Sequence, residues 1–226
     1  MWIIDPLWIV MALPALILSI WAQFKVSRAF KKYSQVRNYR GLTGAEAARA
    51  ILDYNGLGNV AIEETGGWLS DHYDPMHRVL RLSPPVFRQP TVTALAVAAH
   101  EAGHAIQHKA GYKPLTLRTM MVPATMFSSN FAWILLLGGL LFSWKPLLWA
   151  GIALYSVAVL FTLVTLPVEF DASRRAKETL LAMGLVSQEE AKGVAEVLNA
   201  AAMTYVAAAV SAVLELLYFI IRASDQ

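Results

Sequence analysis

The sequence predicts a mainly α-helical membrane protein, with four transmembrane helices and one small α+β domain on the cytoplasmic side. Three observations predict it. Of the 226 residues, 57% are hydrophobic and only 15% are charged, and the mean hydropathy is +0.47, which is too apolar for an ordinary soluble domain. The apolar residues gather into uncharged stretches of about 20 residues, enough to cross a bilayer as helices. The basic residues lie mostly to one side of those stretches. The polar length left over admits one modest soluble domain. A net charge of +3 raises the question of nucleic acid, but the lysines and arginines flank apolar segments and mark topology instead. The expected partner is therefore the lipid bilayer, and no nucleic acid. The chain has no cysteine, so disulfides and thiolate zinc sites are excluded, and His, Asp and Glu remain as metal ligands.

The elements follow in order. Residues 1–24 form an N-terminal transmembrane anchor, because no charge interrupts the chain between Asp5 and Lys25. Six basic residues follow it, Lys25, Arg28, Lys31, Lys32, Arg37 and Arg40, which places the N-terminus outside and this cluster in the cytoplasm. Residues 25–118 are the soluble domain. There "TGAE", Thr43 to Glu46, has capping-box spacing and opens a helix that ends near Asn55 and Gly56. The runs "NVAIEE", "GGWLSDHY" and "HRVLRLS" predict two or three short strands, the last at 78–83, with a turn at Asp74-Pro75. An extended peptide pairing with the edge of that last strand is the expected mode of docking. After Pro84, Pro85 and Pro90, a helix starts at Thr91 or Thr93 and stops at Gly111.

Residues 119–168 form a transmembrane hairpin of two apolar stretches separated at Lys145 and Pro146. Residues 169–203 return as cytoplasmic helices, one over "EFDASRRAKETLLAMGL" and one opened by a second capping-box spacing at Ser187 to Glu190. Residues 204–226 form the last transmembrane helix. With this arrangement, all of the 19 basic residues except Lys145 and Arg222 fall inside. Two polar residues in the spans stand out. Glu215 is costly in lipid and marks a functional position by default, and Asn130 is expected to bond between helices.

The chemistry is concentrated in "AAHEAGHAIQHKAG", 98–111. His100 and His104 lie four residues apart, so on a helix they project from neighbouring turns of one face and can converge on one Zn2+ ion. Glu101 then sits at the edge of the same site, where a general base takes a proton from a water that the metal activates. His108 lies about 12 Å beyond His100 along the axis and reads as a polar helix-end residue. Catalytic zinc keeps three protein ligands and one open position. The third is expected in "LPVEFDASRRA", 166–176, which the hairpin returns to the side of His100 and His104. Glu169 and Asp171 are about 200° apart on a helix, so only one faces the ion. Glu169 shares its face with the small Ala172, Ser173 and Ala176 and is the favoured ligand. Asp171 is the runner-up, or a support for a ligand histidine.

These blocks, together with "DHYDP" and "RLSP", resemble in order those of the bacterial YugP-type family of neutral zinc metallopeptidases of the membrane. The likeness covers nearly the whole chain. A more distant similarity is to the HtpX-type and CAAX-prenyl endopeptidases, in which a glutamate of an ExxxD segment completes the zinc site. Here Glu169 matches, while Ser173 stands where those families have aspartate. The resemblance implies a gluzincin-like, multi-pass protease of the bacterial inner membrane with a zincin-like domain. Its site would comprise His100, His104 and Glu169 as zinc ligands and Glu101 as the catalytic base, and it would act on a peptide or protein substrate at the cytoplasmic surface. Two other readings compete. A site-2-like intramembrane protease is disfavoured because the HEAGH helix is bounded by Pro90 and Lys109 and has no long apolar run. A non-enzymatic scaffold with structural zinc would require a fourth protein ligand.

Overall fold

In the computed structural model, which describes residues 5–67 and 70–225, the chain forms seven helices and three short strands. They are α1 (Pro6–Tyr33), α2 (Gly44–Tyr54), β1 (Ala61–Glu64), β2 (His72–Asp74), β3 (Val79–Leu82), α3 (Pro84–Arg88), α4 (Val92–Lys109), α5 (Lys113–Leu141), α6 (Lys145–Ala182) and α7 (Gln188–Ser224). Trp68 and Leu69 of the "GGWLSDHY" reading lie outside the described residues.

The chain divides into two compact units. One comprises Met1–Gln23, Thr116–Pro167 and Thr204–Gln226. The helices that supply it, α1, α5, α6 and α7, are long and apolar enough to cross a membrane. Within this unit α5 and α6 cross closely. A Cβ on Gly139 would come 2.6 Å from the Leu148 amide nitrogen, and one on Gly151 would come 2.8 Å from that of Leu136, so neither position admits a larger residue without the helices moving apart. Leu136, Leu148, Ile152, Tyr155 and Phe219 form the core. Val10, Ile17, Ile134 and Leu141 point outward, a pattern suited to a lipid solvent. Asn130 is exposed and its side chain makes no hydrogen bond to a described residue, contrary to the expected bond between helices.

The other unit comprises Phe24–Leu115 and Val168–Met203. Its core joins Ile51 and Leu52 of α2, Leu80 and Leu82 of β3, Leu95 of α4, Leu180 of α6 and Val197 of α7. The Thr43–Glu46 capping box forms and starts α2. Ser187 and Glu190 exchange the corresponding pair of bonds before α7. Thr91 caps α4 by accepting from the Ala94 amide, and Gly111 follows that helix at φ +61, a left-handed turn suited to glycine.

Two expectations need correction here. The sheet order is β1-β3-β2, with β1 parallel and β2 antiparallel to β3. The strand expected to offer a free edge is therefore the central one, and the edges belong to β1 and β2. The reason is visible in "VLRL", where Val79, Leu80 and Leu82 are all buried: apolar residues on both faces mark an enclosed strand. Secondly, the polar segments expected as separate helices, at 169–185 and after Ser187, are continuous with the apolar spans as parts of α6 and α7. Hydropathy marks where apolar character ends, and a helix of alanine, glutamate and lysine runs on past that point.

Candidate metal centre

The site is built on α4 and the second half of α6. Gly103 is the reason the two helices can meet. A Cβ there would lie 2.7 Å from the Ala172 carbonyl oxygen, so the glycine inside HEAGH lets the α6 backbone approach. Ala172 and Ala176 are buried at the same contact. The approach carries Glu169, 2% exposed, between the two histidines.

Glu169 Oε2 lies 3.1 Å from His100 Nε2 and 3.7 Å from His104 Nε2. The donor atoms of all three lie within 4.8 Å of one another. A tetrahedral zinc with bonds of about 2.0–2.1 Å separates its ligand atoms by roughly 3.3–3.5 Å, so modest rotation of the side chains accommodates the ion. The outer faces of both imidazoles are occupied. Ser173 Oγ lies 3.1 Å from His100 Nδ1. His104 Nδ1 lies 3.0 Å from Gln107 Oε1, and since that oxygen only accepts, Nδ1 carries a hydrogen and Nε2 is the nitrogen turned to the cluster.

Gln107 is fully buried and anchored at its other end, where Nε2 donates to the Val168 carbonyl at 2.8 Å and to Asp171 Oδ2 at 2.9 Å. Asp171 in turn accepts from Arg174 and Arg175. Asp171 is therefore not among the clustered donors; it supports His104 through Gln107. Ser173 reaches His100 itself. Sequence reasoning passed over Gln107, although its spacing of three residues from His104 puts it on the ligand face.

Electrostatics favour a cation here. Burial alone would raise the carboxyl of Glu169, but the two imidazoles at its Oε2, His100 first and His104 next, outweigh it and hold the group well below the usual range. Burial alone would disfavour a charged His104, yet the Glu169 carboxylate beside its Nε2 and the nearby charge of Glu101 raise its pKa. Glu101 is 8% exposed, and its carboxylate makes no hydrogen bond to a described residue. His108 is exposed at the end of α4, with Nδ1 2.9 Å from the Tyr73 hydroxyl. His72 contacts the Ser70 carbonyl, and Asp71 is engaged by Ser83, so neither reaches the cluster.

Two imidazoles with their outer nitrogens tied down, joined by one buried carboxylate, make a cluster that could hold a metal ion, and its donor types suit zinc. The chain belongs to the family described as "Putative neutral zinc metallopeptidase", whose model matches residues 8–224. A protein of Bacillus subtilis (strain 168) named "Putative membrane protease YugP" is 50% identical over 214 residues, covering 95% of this chain and 95% of that protein. No solved structure matches the chain.

Proposed function

We propose that this chain is a zinc-dependent endopeptidase of the bacterial inner membrane, with its site on the cytoplasmic side and a peptide or protein as substrate. The observation that carries the reading is the convergence of His100 Nε2, His104 Nε2 and Glu169 Oε2, with the far side of each imidazole already hydrogen-bonded. A zinc ion held there supplies Lewis acidity to a water and to the scissile carbonyl. Glu101 follows His100 directly, and its unpaired carboxylate is free to take the proton of the attacking water and pass it to the leaving amine. Ser173 and Gln107 hold the two imidazoles in the orientation that this requires. The cytoplasmic side is supported by the six basic residues after the first apolar stretch.

The test separates chemistry from metal binding. Purified Glu101→Gln protein is expected to retain wild-type zinc content while losing roughly 10²–10⁴-fold in peptide cleavage. Cleavage at the wild-type rate would remove Glu101 from the mechanism.

A further inference from the structure

Beside the C-terminal half of α4 lies a cavity of about 360 Å³ whose lining includes Asn59, Tyr73, Arg78, Ala105, His108 and Lys109. It is cationic. None of its lining residues is acidic, and among the described residues no carboxylate is ion-paired with its bases. Lys109 donates to the carbonyl oxygens of Asn55 and Gly56. His108 uses Nδ1 on the Tyr73 hydroxyl and has Nε2 to spare. Arg78 is exposed; its backbone carbonyl accepts from the Ala61 amide, while its guanidinium forms no hydrogen bond or ion pair with a described residue. It also sits at φ 54, a left-handed conformation uncommon for a residue with a side chain. An unpaired guanidinium on such a backbone is the kind of feature found where a ligand is bound.

The cavity is in line with the site. Glu101, Ala105 and His108 are spaced i, i+4 and i+7, which places them along one stripe of α4. Seven residues of helix advance about 10 Å, the length of about three residues of extended peptide. A peptide that passes Glu101 along this stripe therefore brings its third residue or so into the cavity.

We propose that the cavity is a subsite for a carboxylate of the substrate, received mainly by Arg78 with His108 and Lys109 beside it, about three residues from the bond that is cut. The source is either an Asp or Glu side chain or a free C-terminus. The assignment rests on the peptidase reading, so its test reads binding without turnover. Full-length Glu101→Gln protein in detergent is loaded with zinc and exposed to two pools of randomised octapeptides, one with free and one with amidated C-termini. Retained peptides are identified by mass spectrometry.

Enrichment of Asp and Glu over Asn and Gln at one position, on the order of tenfold, assigns the side chain. Preference for free over amidated ends assigns the terminus. In either case the preference must vanish in Arg78→Gln and survive in Arg78→Lys. Arg78→Gly, which suits the left-handed backbone, removes the charge without straining the turn and must behave as Arg78→Gln does. Absence of any carboxylate preference, or a preference indifferent to these substitutions, overturns the subsite. Failure of wild-type protein to cleave peptides would instead strike the peptidase reading.

Discussion

Glu169 and Glu215 are both carboxylates on long apolar helices, one in each compact unit, and their surroundings differ. Glu169 meets two imidazole nitrogens, each on a ring held from behind. Glu215 accepts one bond, 2.6 Å from the Tyr155 hydroxyl, beside a cavity of about 120 Å³ lined by Trp8, Met11 and Tyr218 among others. A carboxylate on an apolar helix is thus not a metal site by virtue of its cost. What sets Glu169 apart is that further donors converge on it and are themselves fixed.

The sharpest way to break this contrast is to neutralise each carboxylate in turn. Glu169→Gln is expected to weaken zinc binding by more than the ~100-fold upper range for partners one layer out, whereas Glu215→Gln should bind zinc as the wild type does. Metal analysis after dialysis against a graded chelator checks both. Equal loss in the two variants would abolish the distinction. A finer cut lies behind the ligands. Gln107→Ala leaves all three donors in place but frees His104 to turn, so a loss of about 10–100-fold in zinc affinity is expected. Unchanged affinity would mean that packing alone orients the ring.

The parts of this centre were unequally legible in the sequence. HEAGH declares itself because two ligands four residues apart must share a helix face. Glu169 could be named because an outward and return crossing is expected to bring the chain back to the side it left, and because small residues share its helix face. The contacts of Gln107 and Ser173 escaped notice although each lies one helical turn from a member of the cluster, at His104 plus three and Glu169 plus four; a polar residue so placed reveals its contacts only when its partner helix is known. The sheet order was hidden for a related reason. Pairing joins β1 to β3 across an intervening strand, and only the two-sided apolar character of "VLRL" hinted that β3 lies between its neighbours.

Packing supplies the next test. The glycine of HEAGH faces the Ala172 backbone, and a methyl group at 2.7 Å from a carbonyl oxygen has no flexible neighbour to displace. Gly103→Ala should therefore cost about 1–3 kcal/mol of stability and move Glu169 away from the histidines, lowering zinc content as well. Thermal unfolding in detergent, followed with and without zinc, reads both. A variant as stable as the wild type with full zinc would show that α4 and α6 have slack at this crossing.

The smallest expected effect concerns a third carboxylate, on the turn that presents Arg78. Asp74 accepts from the His77 and Met76 amides, from the His77 ring and from Arg81. The His77 amide, with the His77 ring next, holds its carboxyl well below the usual range despite a smaller opposing contribution from burial. A group depressed in this way takes up its proton more readily in the unfolded chain. Its stabilisation is therefore complete above the unfolded value of about 4 and is lost as the pH falls from there through the folded value, with no change on the alkaline side. Asp74→Asn should accordingly cost about 1–2 kcal/mol at pH 7 and progressively less as the pH is taken from 5 down towards 3. If the gap in unfolding midpoint between wild type and variant stayed constant over that interval, the turn would be held by its backbone alone and the charge on Asp74 would be incidental to the placing of Arg78.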